Sequence, residues 1–290
     1  MTNYAVKKFD RRRKYYMVLD CETATLPCAG KLSAGDKKKI AIAKPLIYDL
    51  GWKIIDKKGN EYARKNFLIT EIFSVPEIFN TAYYASKRPL YIEKLNRGEI
   101  KLATWAEASA ELVADLANVE AVGAYNSMFD FKKAIPFTEL YMNKLYSPDF
   151  HRWLAFQESL CNKLLHGKSG SGREFEPDVF RFRDVEYPLF DLWGLSCEYI
   201  LDNDEYKQMC IDNGWQTESG KYFKTSAETA YRFVSGNMNF DEAHTAIDDA
   251  DIESELFALI VKKAKNKVDI GIAYFPFRIL GTVENFISRS

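Results

Sequence analysis

The chain has 290 residues, 47% of them hydrophobic, which is enough to bury a full core in one large domain with room for insertions. Its 40 basic and 41 acidic residues leave a net charge of −1, so the chain as a whole does not draw nucleic acid, and any hold on phosphate must come from local patches. Five cysteines, odd in number and without a Cys-x-x-Cys pair, argue against structural zinc and for a reducing, cytoplasmic setting.

The basic N-terminus is followed by a short apolar run, Tyr15-Tyr16-Met17-Val18-Leu19, that stops at Asp20. It is read as a buried strand over 15–20, not as a signal peptide or membrane span. Residues 28–45, rich in Lys, Ala and Gly, are expected to insert a loop or short helix beside the end of that strand. Strands follow at 46–56 and 61–70, joined by the hairpin turn Asp56-Lys57-Lys58-Gly59-Asn60. Thr104-Trp105-Ala106-Glu107 has the capping-box pattern and opens a helix to about Asn118. A strand over 120–125 and a helix from about 128 come next. Residues 146–186 read as a second insertion outside the core, with a flexible stretch at 167–173. Gly167-Lys168-Ser169 is not a phosphate loop, because Asn162 stands where that motif needs glycine. Pro188-Leu189-Phe190-Asp191-Leu192 forms a fifth strand that feeds a helix to about Leu201. Thr225-Ser226-Ala227-Glu228 starts a short helix to about Val234, and the last long helix covers about 241–265. The tail over 268–290, which contains Tyr274, Phe275 and Phe277, is read as packing on the domain in preference to binding bases. A meander of strands followed by strands alternating with helices predicts an α/β fold with a mixed five-stranded sheet flanked by helices. One domain spans 1–290, its core about 15–265.

Three short motifs carry chemistry. Asp20 and Glu22 lie two apart at a strand end, so both carboxylates share one face. Asp130 closes the segment Asn126-Ser127-Met128-Phe129-Asp130, and His244 precedes Asp249 by five residues. Mg²⁺ and Mn²⁺ are hard cations that take a few carboxylates and leave room for phosphate and water, so Asp20, Glu22, Asp130 and Asp249 suit two such ions. Bare, these carboxylates would repel one another, which makes the ions necessary for charge balance as well as activity. His244, titrating near neutrality, is the candidate general base. Residues five apart on an ideal helix differ by about 140°, so His244 is placed on the loop or first turn and Asp249 inside the helix. Each residue alone has a plainer reading: Asp130 as a helix cap, His244 as a surface histidine, Asp249 as one of an acidic cluster with Asp248 and Asp251.

Together, the order and spacing of these motifs over about 15–262 resemble the DEDDh branch of the DnaQ-like 3′–5′ exonucleases, in the ribonuclease H-like superfamily. The resemblance implies a ribonuclease H-like sheet and a two-metal site. It also implies removal of nucleoside monophosphates from the 3′ ends of single-stranded DNA, with no membrane partner. Substrate contacts are then expected at Thr23, Leu26, Asn126 and Phe129, with Leu26 wedged against the terminal base. Asn126 also reads as fixing loop geometry and Phe129 as core packing. Two departures stand out: Thr23-Ala24-Thr25 replaces the family's Thr-Thr-Gly, and Lys132-Lys133 follows the second motif where apolar residues are common. The motifs do not distinguish the sugar, so an exoribonuclease is the first alternative. A non-catalytic nucleic-acid-binding subunit is the second, and four converging carboxylates argue against it. Local phosphate contacts are sought at Lys7-Lys8 with Arg11 to Lys14, at Lys37-Lys38-Lys39, and at Lys262, Lys263, Lys265 and Lys267.

Overall fold

Every residue of the run Tyr15 to Leu19 is buried, the odd-numbered ones in one apolar cluster and Tyr16 and Val18 in another. Such an unbroken apolar run suits a strand covered on both faces. Tyr15–Thr25 (β1) accordingly lies in the interior of the sheet. The computed structural model describes residues 9–10, 12–26, 44–165 and 178–289. The expected loop at 28–45, apart from its last two residues, and the stretch at 167–173 lie outside the described residues.

Pro45–Asp56 (β2) runs antiparallel to β1, and Glu61–Ile69 (β3) antiparallel to β2. The turn between β2 and β3 forms as expected: Gly59 takes φ 79°, and Asp56 Oδ1 accepts from the N–H groups of Lys58 and Asn60. Lys101–Ala103 (β4) adds in parallel to β3, Ala121–Ala124 (β5) in parallel to β1, and Val185–Asp191 (β7) in parallel to β5. Asp178–Phe182 (β6) pairs antiparallel with β7, giving the order β4-β3-β2-β1-β5-β7-β6. The sheet thus has seven strands where five were expected. The five expected strands are present, and short β4 and β6 extend the edges. Part of the supposed insertion at 146–186 is therefore sheet. Phe180 and Phe182 share the inward face and are buried, Phe180 against Phe131, a period-two signal inside the region expected to lie outside the core.

Helices cover both faces. Arg88–Asn96 (α1), Trp105–Leu116 (α2) and Ile135–Leu145 (α3) contribute Tyr91, Leu112 and Tyr141 to the cluster around Met17 and Leu19. Phe150–Leu165 (α4) packs Phe150 and Trp153 on the same cluster. Leu192–Ser196 (α5), Asp204–Asp212 (α6), Ala227–Ser235 (α7) and Ala246–Lys263 (α8) build the cluster around Val18. The capping box of Thr104 and Glu107 is present at the start of α2. At α7 the cap is Ser226, not Thr225, whose hydroxyl accepts from Trp193 Nε1 at 2.8 Å. Cys21, Cys197 and Cys210 are buried and free. Among the described residues, no helix is long and apolar enough to cross a membrane.

The contact that sets the later geometry is at Gly51 on β2, which pairs with Asp20. A Cβ there would stand 2.6 Å from the backbone nitrogen of Ile247 and 2.7 Å from the carbonyl carbon of Ala246. Only a residue without a side chain lets the first turn of α8 rest on the sheet at this point. Gly51→Ala is expected to cost on the order of 1–3 kcal/mol, as overpacking does, because the obstacle is backbone and cannot swing aside. A denaturant melt of the variant indistinguishable from the parent would refute this.

Candidate active site

Asp20 and Glu22 project from the face of β1 that α8 covers, and both are half-buried. The pairing with β2 slips between Glu22 and Thr23, a bulge that ends the regular alternation just past the two acids. Opposite Glu22 on β2 is Asp49, which has no exposed surface. Its Oδ1 accepts from Asn66 Nδ2, and its Oδ2 accepts from the backbone N–H of Ala246 at 2.9 Å. Thr245, the N-cap of α8, makes no side-chain cap of its own, so Asp49 caps the helix from the neighbouring strand.

The helix begins at Ala246 and not at 241 because His244 adopts φ 50°, a left-handed conformation that no helix continues through. His244 therefore lies on the loop and Asp249 within the helix. Three contacts hold that turn. Lys87 Nζ donates to the carbonyl of Ala243, Tyr91 Oη donates to that of His244 at 3.4 Å, and the Tyr84 ring stacks on the imidazole at 4.3 Å and 14°. His244 Nδ1 is 3.6 Å from Glu242 Oε2 and 3.9 Å from Asp249 Oδ2. Asp248 turns to the other side, where it accepts from Lys94 Nζ and from Thr245 Oγ1. Asp249 keeps Oδ1 buried with no hydrogen-bond partner.

The second motif arrives from β5. Ser127 Oγ accepts from the N–H of Ala124 and donates to the carbonyl of Phe190 at 2.6 Å, tying β5 to β7. Buried Asp191 accepts from the N–H of Ser127 at 3.1 Å and from that of Gly194 at 3.0 Å, so one carboxylate fixes this loop and caps α5. After one helical turn, Ser127–Phe129, the chain widens into a π-turn over Asp130–Ala134, which begins at the motif aspartate. Asp130 is buried and accepts from Cys21 Sγ at 2.9 Å.

All five motif residues, Asp20, Glu22, Asp130, His244 and Asp249, line one cleft of about 560 Å³. Ligand atoms of Glu22, His244 and Asp249 lie within 4.8 Å of one another. The carboxylates of Glu22 and Asp249, with the unpartnered buried Asp249 oxygen, are hard donors that can hold a divalent cation, with the His244 imidazole beside them; Asp20 and Asp130 line the same cleft outside this closest set. Asn126 and Phe129 also reach the cleft, Phe129 while packing on the core. Thr23 and Leu26 do not. Beyond the bulge, Ala24 and Thr25 stay paired with Leu46 and Pro45, and this carries Leu26 into the core at 2% exposure, so it presents no wedge. The expected basic patches give the cleft little. Arg12 and Lys14 are paired with Asp10 and Glu120, and Lys262 lies thirteen residues along α8 from Asp249, roughly 20 Å away. Lys7, Lys8 and Lys37 to Lys39 lie outside the described residues.

Burial raises the carboxyl groups of Asp20, Glu22 and Asp249 above the usual range, and like charge raises them further. Glu253 acts most on Asp20, Asp249 on Glu22, and Glu242 on Asp249, while Lys87 partly relieves Glu22. Asp130 is raised by burial, with the Cys21 hydrogen bond pulling it back. His244 is lowered, first by burial and then by Lys87, which leaves a neutral imidazole able to accept a proton. Glu253, Glu242 and Asp49 belong to this cluster and were not read from the sequence. Glu253 carried a signal, standing four residues after Asp249 and hence on the same helix face.

No family model and no curated protein matches the chain.

Two expectations follow. Burial raises Asp49 to about 6, and Asp191 and Glu242 to about 7, in the same direction as the cleft carboxylates. A carboxyl group raised on folding binds its proton better in the folded chain, so it costs nothing below the ordinary carboxylate range near 4, and the cost grows as pH rises from there to the folded value and is complete above it. Metal-free protein should therefore melt at a higher temperature as pH falls from about 8 toward 5. At pH 8, Mg²⁺ or Mn²⁺ should raise the melting temperature, and a melt insensitive to both pH and cation would contradict the assignment. Asp248→Asn, by contrast, should cost on the order of 1–3 kcal/mol through the buried Lys94 it leaves half-satisfied. It should not weaken cation binding, whereas Asp249→Asn should.

Proposed function

We propose that the protein is a metal-dependent 3′–5′ exonuclease of ribonuclease H-like fold, acting in a reducing, cytoplasmic setting and releasing nucleoside monophosphates from the ends of single-stranded DNA. The observation that carries this reading is the convergence of Asp20, Glu22, Asp130, His244 and Asp249, from three distant segments, on the wall of one cleft. The antiparallel β1-β2-β3 meander, followed by β5 and β7 added in parallel, supports the fold assignment.

Two divalent cations, when bound among the carboxylates, would neutralise charge on the scissile phosphate and acidify the attacking water. Asp20, Glu22, Asp130 and Asp249 are the residues that would hold them. The neutral His244, pressed by Tyr84 and facing Asp249, takes the proton as water oxygen bonds to phosphorus. The bond from phosphorus to the 3′ oxygen of the preceding nucleotide breaks, that oxygen is protonated by solvent water as the new 3′ hydroxyl, and the imidazolium of His244 returns its proton to the hydroxide left behind. The half-burial of Asp20 and Glu22 leaves one side of the pair open to a chain end.

The deciding assay uses a 5′-labelled DNA strand, a matching RNA strand and a circular single strand, each with Mg²⁺. A descending ladder from the linear DNA, blocked by chelator and by Asp20→Ala, is the expected result. His244→Ala should lower turnover by about 10²–10⁴-fold. Cutting of the circle, or full activity in chelator, would defeat the proposal, and a ladder from RNA alone would move the substrate to RNA.

A further inference from the structure

Besides the acids, aromatic rings line the cleft, Trp193 and Phe277 among them. Tyr125 joins the two sets through its backbone. Tyr125 donates its N–H to Glu253 Oε2 at 3.1 Å, and its carbonyl accepts from the N–H of Trp193 at 3.0 Å. Trp193 cannot drift, since its indole N–H is bound to Thr225 Oγ1.

Phe277 comes from the tail, and the tail is anchored on both sides of it. Ile272 and Leu280 are buried, and the N–H of Gly271 donates to the carbonyl of Leu189 at 2.8 Å. Between these anchors Phe275 is held at φ 58°, a conformation that costs a bulky residue and persists only where the surroundings impose it. Behind Phe277, the rings of Tyr222 and Phe275 pack edge-on at 4.9 Å and 5.8 Å. Phe277 itself is left half-buried, with its centroid 6.2 Å from that of Trp193 and the rings tilted by 31°. A planar ligand slipped between two rings needs about 7 Å, twice the closest carbon contact. A ligand would therefore lie across this pair as on a shelf.

We propose that Trp193 and Phe277 form the platform on which the base of the 3′-terminal nucleotide stacks, which makes the tail around Phe277 part of the substrate site. This rests on the exonuclease reading above. A neutral base carries no charge for the carboxylates to repel, and any base offers a π face, so the shelf accepts all four. It would also supply the contact with the terminal base expected of Leu26, which the fold buries in the core.

The test compares kcat/KM for strands ending in an ordinary nucleotide and strands ending in an abasic sugar. Parent, Phe277→Ala, Phe277→Leu and Phe277→Tyr proteins are used in Mg²⁺, each with its fold verified by thermal melt. Stacking is worth about 1–3 kcal/mol per base, so the parent should favour the base-bearing end by roughly 5- to 150-fold. That ratio should fall toward one in Phe277→Ala and Phe277→Leu and return in Phe277→Tyr. In parallel, quenching of tryptophan fluorescence by 2′-deoxyadenosine, with excess chelator present, should be seen in the parent and weakened in Phe277→Leu. A parent that hydrolyses no strand but binds the nucleoside through Phe277 would count against the exonuclease reading alone. An unchanged ratio in the folded leucine variant, with unchanged nucleoside quenching, would overturn the platform.

Discussion

The closeness with which the first turn of α8 approaches the sheet governs the cleft. Gly51 removes the obstacle, Asp49 reaches from β2 to bond the helix N–H of Ala246, and Asp20 stands beside Gly51 across the strand pair. The same approach gives β1 and the helix a common acidic face. Helix starts favour carboxylates through their free N–H groups and dipole, and α8 carries Asp248 and Asp249 in its first turn. The sheet adds Asp20 and Glu22 to that end of the helix, more negative charge than one helix terminus can balance.

The acids here divide by what they touch. Asp49 is bonded to Ala246 and Asn66, Asp191 to Ser127 and Gly194, and Asp248 to Lys94 and Thr245. These fix geometry, each through hydrogen bonds made within the protein, although burial still raises Asp49 and Asp191. Asp249 retains a buried oxygen with nothing bonded to it, and Asp20 and Glu22 are raised by burial and by one another's neighbours. Repulsion of that kind is tolerated where something from solution relieves it, so the distinction separates scaffold from site more sharply than burial does.

Much of this was legible in the chain. The apolar run before Asp20, the alternation of Asp20 and Glu22, and the five-residue spacing from His244 to Asp249 each have one geometric solution, and local rules suffice to find it. Leu26 was not legible, because its place depends on a bulge in the pairing of β1 with β2, which the residues of β1 alone do not specify. Asp49 was equally hidden: a lone aspartate in a strand says nothing until a helix nearly two hundred residues later is set upon it. The edge strands β4 and β6 are short and gain their order from neighbours, so neither was read as a strand: 101–103 received no element and 178–182 fell within the supposed insertion. Phe277 was read as packing, and the ring does pack, on Tyr222 and Phe275, while it also lines the cleft.

The cleft also says something about time. Its walls join Asp20 and Glu22 near one end of the sequence to Asp249 and Phe277 near the other, with Asn126 and Trp193 between. Contacts so distant along the chain form late and slowly, since each closes a long loop before it is rewarded. During synthesis, β1 emerges early and must wait, its two acids exposed, until α8 and the aromatic tail have left the ribosome. A growing chain therefore carries one wall of the cleft before the other exists, and the cleft closes only when its last elements have emerged.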